Sequence, residues 1–358
     1  MKVVSAFFSL VLMSGCLFIP SIEEAGYNSC ESEKDCGVGR QCTAGYCTPP
    51  PWNDESYERR RLLVLENETV SELPEAGALV FWVGASGMTL KLDEVPSDTR
   101  YTYYHADENT WKTVPVFLDT FDDRYAVWVP LSASLASGAR APLVWMESKS
   151  GDAEGEATIS PIDVFDAFYN FGAGEACVAP WLCFGTGAPV PDNASIRVAD
   201  NQMMVLSEGL TLPFDVSFKL RVNGSSCENV FWGLKGGKNQ SFDPPMLGFN
   251  VGTDRDMSFE VYPRSDSLAP EITDLAQMDT VLRTYRIHAG TTSIRIYRDQ
   301  DLLAAIPLET LLEEEGTYYP YLDVDGDCSI EIRNFWATST PVGSVKITPE
   351  SPVDFQLF

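Results

Sequence analysis

Phe214-Asp215-Val216-Ser217-Phe218-Lys219-Leu220-Arg221-Val222 alternates apolar and polar residues without a break. Side chains on a strand point to opposite faces in turn. This period of two therefore sends Phe214, Val216, Phe218, Leu220 and Val222 into a core and leaves the other face to water. Shorter runs of the same kind follow: Val230–Leu234, Met246–Val251, Met257–Tyr262, Leu282–His288, Thr292–Tyr297 and Ser329–Trp336. Pro307–Glu315 reads as one or two helical turns stopped at Gly316, with an acidic end that opposes the helix dipole. Upstream, Leu62–Leu65, Leu79–Val83, Tyr101–Tyr104, Tyr125–Pro130 and Pro142–Met146 read as strands, with turns at 75–77, 94–97 and 136–138. The pattern predicts an all-β chain of two tandem antiparallel β-sandwiches after a short disulfide-rich module. The expected divisions are 1–15, 16–51, 52–172, 173–345 and a C-terminal tail at 346–358.

The chain of 358 residues holds 25 basic and 52 acidic residues, for a net charge of −27. A surface this negative repels phosphate backbones and anionic lipid, so nucleic acid is set aside as a partner. His105 and His288 are the two histidines, which excludes a multi-histidine zinc site. The charge implies solubility and names no ligand.

Residues 1–15 carry Lys2, an apolar run from Val3 to Leu12, and Ser14-Gly15 before Cys16. The run is shorter than the about 20 residues a spanning helix needs, and its parts are those of a secretory signal. Leu12-Met13-Ser14-Gly15-Cys16 resembles the bacterial lipobox, with Met13 where that family usually has Leu. The resemblance implies cleavage before Cys16, acylation of its thiol and amino terminus, and a membrane anchor. Leu17 then lacks the aspartate that retains some such proteins at the inner membrane, which favours the outer membrane and leaves the facing side open.

Eight cysteines remain, an even number that reads as four disulfides in an exported chain. Cys30, Cys36, Cys42 and Cys47 lie within eighteen residues that carry no apolar periodicity, so disulfides must hold this piece. Spacing does not choose among the three connectivities; we expect Cys30–Cys42 with Cys36–Cys47. The module resembles the small "DCG…C…GYC" knots of exported bacterial lipoproteins and, more loosely, Dickkopf- or epidermal-growth-factor-like half-modules. We read it as a stiff spacer, followed by an extended linker at Thr48-Pro49-Pro50-Pro51. Arg59, Arg60 and Arg61 are expected to pair with surface carboxylates.

Trp52, Tyr57-Glu58-Arg59-Arg60, Ser97–Tyr101, Ala126–Leu131 and Val164-Phe165-Asp166 resemble a bacterial extracellular domain of unknown function that commonly precedes a concanavalin-like module. Residues 175–340 in turn resemble the concanavalin-like, laminin-G-like jelly roll. That likeness rests on Ala194–Val198, Met203–Leu206, Asp215–Val222, Tyr285–His288 with Ser293–Asp299, Leu302–Pro307 and Ile330–Phe335. It implies that the strands ending at Cys227 and opening at Cys328 share a sheet. A Cys227–Cys328 bridge follows, leaving Cys177–Cys183 to close a local loop.

Enzymes on this fold set their carboxylates on one strand as E-x-D-x-E or E-x-D-x-x-E, because alternate residues share a face. No such run occurs, and Ser329–Arg333 offers only Glu331, with Arg333 in its partner's place. Asp323-Val324-Asp325-Gly326-Asp327 reads as a tight Asp-Gly turn. As a calcium site (Asp323, Asp325, Asp327) it departs from the EF-hand order, and it is the weak metal candidate of the chain. The resemblances imply a lipid-anchored, non-catalytic binding or adhesion module for glycan or another envelope component, with Trp232, Tyr262, Tyr318 and Tyr319 as contacts that also suit a core. The alternatives are a polysaccharide-active glycoside hydrolase and a purely structural envelope lipoprotein.

Overall fold

The computed structural model describes residues 29–354 apart from 44–45, 52–56, 58, 70–71, 76, 85–88, 92–98, 121–123, 149–159, 172–176, 192–194, 225–226, 240–244, 263–271, 291, 300, 308–315, 340–344 and 350–352. Cys16, the signal segment and residues 308–315 of the expected helical turns lie outside the described residues, and Pro307 ends a strand.

β1 (Gln41–Thr43) and β2 (Tyr46–Thr48) form a hairpin in the Cys-rich module. Disulfides join Cys30 to Cys42 and Cys36 to Cys47. The first sandwich runs β3 (Arg59–Glu66), β4 (Ala78–Gly84), β5 (Leu90–Lys91), β6 (Arg100–His105), β7 (Thr110–Thr113), β8 (Phe117–Thr120), β9 (Tyr125–Pro130) and β10 (Arg140–Ser148).

The second begins with β11 (Ala167–Asn170), β12 (Trp181–Gly185), β13 (Val190–Pro191), β14 (Ile196–Ala199), β15 (Gln202–Leu206) and β16 (Leu210–Thr211). The long strands β17 (Phe214–Asn223), β18 (Cys227–Lys235), β19 (Met246–Val251), β20 (Asp256–Tyr262) and β21 (Ile272–Gln277) follow. It ends with β22 (Arg283–Ala289), β23 (Ser293–Arg298), β24 (Asp301–Pro307), β25 (Thr317–Gly326) and β26 (Ser329–Thr338). β27 (Lys346–Pro349) and β28 (Val353–Asp354) close the chain.

Two eight-stranded antiparallel sheets make the second unit, a jelly roll. One is ordered β13-β14-β26-β17-β22-β23-β24 with β11 on β26; the other is β12-β15-β25-β18-β19-β20-β21 with β16 on β25. Phe218, Leu220, Trp232, Phe249, Ile287, Ile332 and Phe335 fill the space between them. Transfer of such side chains from water contributes about 1.5–3 kcal/mol each, so this layer dominates the stability of the unit. The first unit stacks β27-β3-β10-β6-β7 on β5-β4-β9-β8 around Leu63, Phe81, Val127, Val129 and Val144.

Three expectations need correction. Residues 346–358 were expected to be a tail, yet β27 and β28 pair antiparallel with β3, so the first sandwich is built from both ends of the chain. Four residues, Lys-Ile-Thr-Pro, are too few to show a period; the open edge of β3 decides their conformation. The boundary at 172 falls too late, because β11 pairs with the last jelly-roll strand, β26. The placement of Cys227 and Cys328 in one sheet also fails. Cys227 opens β18 and Cys328 lies in the turn before β26, so their disulfide ties the two sheets together at one end. Cys177 is bonded to Cys183.

Candidate functional site

The layers stack in sequence, and the stack decides which face of the jelly roll the first sandwich covers. The knot packs Val38 against Leu62, Val64 and Trp145 on the outer face of the first sheet. Arg60 is buried there; its guanidinium donates to the carbonyls of Pro50 (2.6 Å) and Pro51 (3.2 Å) and lies over the Trp145 ring. Arg60 thus binds the linker, and the module is docked, which a spacer would not be.

Next, the β5-β4-β9-β8 sheet packs its outer face on the β26-β17-β22 sheet. Trp128 meets Trp336 at 4.6 Å, and Phe165 stacks on Trp336 at 4.4 Å. Charges cross or line this seam in opposite pairs. Lys219 donates to Asp119 at 2.5 Å and to the Thr120 carbonyl, and Thr284 donates to the same carboxylate. Asp215 receives both Arg286 and the His288 ring (3.2 Å), with Arg286 lying over Trp128. Burial pushes the Asp119 carboxyl up, with Lys219 opposing; for Asp215, burial pushes up too, but Arg286 and His288 outweigh it and hold the carboxyl low.

One outer face of the jelly roll is therefore capped. The other, on the β15-β25-β18-β19-β20 sheet, carries a second cluster: Met203, Val205, Phe231, Met246 and Tyr321, with Phe184, Tyr262 and Tyr319 half-buried against it. Register sets out the rows. Met203, Asp323, Phe231, Asn250 and Ser258 stand opposite one another in turn across five strands. The next row is Val205, Tyr321, Gly233, Gly248 and Glu260; then come Tyr319, Lys235, Met246 and Tyr262. The paired glycines make room for the aromatic floor. A Cβ on Gly248 would stand 2.5 Å from Phe231 Cε1, and Phe231 stacks on Tyr321 at 5.0 Å.

Polar groups ring this floor. Glu260 accepts from Asn250 Nδ2 (2.7 Å), Ser258 (3.2 Å) and the Tyr262 hydroxyl (2.5 Å). Lys235 is buried, donates to the Asn239 carbonyl and lies over the Tyr321 ring. Asp323 and Asp325 share the outer face of β25, and no cation among the described residues stands within ion-pair distance of either. Burial, then the Asp325 charge, raise the Asp323 carboxyl to about 6, against the opposing pull of Lys235. The Tyr321 hydroxyl is buried without a hydrogen-bond partner, and so is Asn250 Oδ1. Native interiors leave few such atoms, and each asks for an explanation.

Of the four expected aromatic contacts, Trp232 and Tyr318 lie wholly in the inter-sheet core, while Tyr262 and Tyr319 stand on the outer face. The three aspartates weighed as metal ligands do not converge. Asp323 and Asp325 lie along β25, Asp327 lies past its end, and among the described residues only Cys30, Cys36 and Cys47 gather at ligand distance, as disulfide sulfurs. Glu331 pairs with Arg221 at 2.6 Å. Sequence reasoning missed Phe231, Tyr321, Asn250, Glu260 and the strand conformation of Asp323-Val324-Asp325. The alternation Tyr319, Tyr321, Asp323, Asp325 carried that signal, but the Asp-Gly pair at its end was read as the centre of a turn.

A separate concavity of about 400 Å³ lies between the knot and the first sandwich, lined by Arg40, Gln41, Tyr103, Tyr104, His105 and Trp145 among others. Its aromatic groups are engaged with one another or with the chain. Tyr104 donates to Asn109 at 2.6 Å, His105 stands edge-on to Tyr103, and Trp145 is covered by Trp111 and Arg60.

No protein-family model and no curated protein matches the chain. Among solved structures, a family 16 endo-glucanase from Bacteroides ovatus matches at 9% identity and a TM-score of 0.37, over 48% of this chain and 99% of its own. The catalytic domain of a laminarinase from Thermotoga petrophila matches at 10% and 0.38, over 48% and 96%. The carbohydrate recognition domain of Emp47p matches at 10% and 0.38, over 47% and 92%.

Proposed function

We propose that the protein is a glycan-binding module of the cell envelope, held at the outer membrane by an acylated Cys16, and that the outer face of the β25-β18-β19-β20 sheet, which the first sandwich does not cover, is its binding surface. The observation that carries this reading is the composition of that face. Phe184, Tyr262 and Tyr319, partly exposed beside a buried aromatic floor, offer apolar surface for the C–H faces of sugar rings. Asp323, Asp325 and Glu260 offer charged acceptors for hydroxyls, and hydrogen bonds to ionised groups are the stronger kind. The layered stack supports the geometry as well. The knot that follows Cys16 docks at one end, and the face lies at the other. Calorimetry of the full chain against oligosaccharides tests the reading. Tyr262→Ala and Tyr319→Ala each weaken binding about ten-fold, the loss of about 1.4 kcal/mol of contact. Labelling with tagged palmitate tests the anchor: label on the wild type and none on Cys16→Ala is the expected result, and an unlabelled wild type overturns it.

A second reading, glycoside hydrolysis, is favoured by one observation: Asp323, raised to about 6, shares a strand face with Asp325. Residues two apart on a strand are separated by about 6.6 Å along it. That is nearer the about 6.5–9.5 Å of an inverting carboxyl pair than the about 5–5.5 Å of a retaining one. Release of reducing ends that Asp325→Asn abolishes would establish it, and binding without release leaves the first reading.

A further inference from the structure

We infer that the outer face of the β25-β18-β19-β20 sheet takes uncharged glycans and turns away those bearing uronate, sulfate or phosphate groups. The inference rests on the binding role proposed above and names the ligand class.

Three carboxylates face this surface: Asp323 and Asp325 from β25, and Glu260 from β20. The central cation, Lys235, is buried beneath them, with its ammonium donating to the Asn239 carbonyl and lying against the Met203 sulfur at 3.5 Å. Lys238 stands at the rim over the Tyr319 ring. An anionic sugar on this face thus meets carboxylates with no cation exposed between them among the described residues, and like charges placed together at an interface cost several powers of ten in affinity at most. A sugar hydroxyl meets no such barrier. It donates to a carboxylate, and it can also accept from a phenol. The Tyr321 hydroxyl, buried beside the floor and unpartnered, is a donor awaiting an acceptor, and Asn250 Oδ1 is an acceptor awaiting a donor.

The groups around Asp323 make its charge conditional. Met203 faces it from β15 and Phe231 from β18, Tyr321 and Asp325 stand beside it on β25, Asn229 faces Asp325, and Lys235 stands further along β18 opposite Tyr319. Only Asp325 and Lys235 among these carry charge near neutrality. As pH falls through about 6, Asp323 takes up its proton and the exclusion weakens.

The test uses the full chain and pairs of hexasaccharides derived from glucan, mannan and galactan. Within each pair the two members differ only by oxidation of C6 to a carboxylate. At pH 7.5 calorimetry should find the neutral member of a bound pair at least about ten-fold tighter, a gap of about 1.4 kcal/mol. Asp323→Asn with Asp325→Asn should close the gap to within about two-fold. Asp325→Asn alone, at an exposed position, serves if the double variant fails to fold. Equal or tighter binding of the oxidised member by the wild type overturns the inference and leaves the binding role standing. Binding of neither member of any pair overturns the binding role, and this inference with it.

Discussion

The two outer faces of the jelly roll are made alike and finished differently. On the capped face each buried charge meets its opposite: Asp119 meets Lys219, and Asp215 meets Arg286. On the other face Asp323 and Asp325 stand side by side and Glu260 is satisfied by neutral donors, while unpartnered buried polar atoms occur on both, the Tyr321 hydroxyl here and Trp128 Nε1 and Ser217 Oγ at the seam. The first arrangement suits a permanent contact, because charge taken from water must be matched at once. The second leaves Asp323 and Asp325 without a cation among the described residues and so suits a contact made from outside. Fold alone does not separate the faces; their charge pairing does.

The contrast can be broken at the capped face first, where a single substitution has its largest effect. Lys219→Ala strands the Asp119 carboxylate in the seam and should cost about 3–5 kcal/mol in urea unfolding, the usual penalty for an uncompensated buried charge. A loss under about 1 kcal/mol would mean that water reaches Asp119 and that the seam is not closed. Arg60→Ala comes next. It removes two charged donors from the Pro50 and Pro51 carbonyls and should cost about 2–4 kcal/mol. Limited proteolysis would then cut near residues 49–51, and an uncut linker would speak against docking by Arg60.

Deleting 346–358 removes the four paired positions of β27 and the two of β28 and should cost about 3–6 kcal/mol at about 1 kcal/mol per backbone bond. Hydrogen exchange should quicken at Leu63 and Leu65 and stay slow at Phe218; unchanged exchange at Leu63 would mean that β27 adds nothing to β3.

The smallest effect has the opposite sign. The folded pKa of Asp323 lies above its ordinary value of 3.8, so the native state holds the proton more tightly than the unfolded chain. Its contribution is full below about 3.8 and is lost as pH rises through about 6. Asp323→Asn should remove that slope from the stability–pH curve and leave the protein somewhat more stable at pH 7.5. A slope that survives the substitution belongs to another group.

Much of the β architecture was legible because burial on one face writes a period of two. Phe214–Val222 was expected as a strand and is observed as Phe214–Asn223, and Met246–Val251 is observed with the same bounds. Legibility failed where tertiary contact decides conformation. The four residues of β27 form a strand because β3 offers them an edge. β25 carries Asp-Val-Asp-Gly to its end, where turn chemistry and strand alternation point to different answers. For the candidate site, Tyr262 and Tyr319 were within reach as aromatics of the second sandwich. Asn250, Glu260 and Tyr321 were not, because their meeting depends on the register of four neighbouring strands.

Methionine methyls offer the most direct measurement of the central claim. Met203 and Met246 lie on the proposed binding face, whereas Met257 lies in the inter-sheet core. Titration of methyl-labelled protein with a neutral oligosaccharide should shift Met203 and Met246 in a saturable way and leave Met257 in place. Saturable binding that moves neither Met203 nor Met246 would contradict the account.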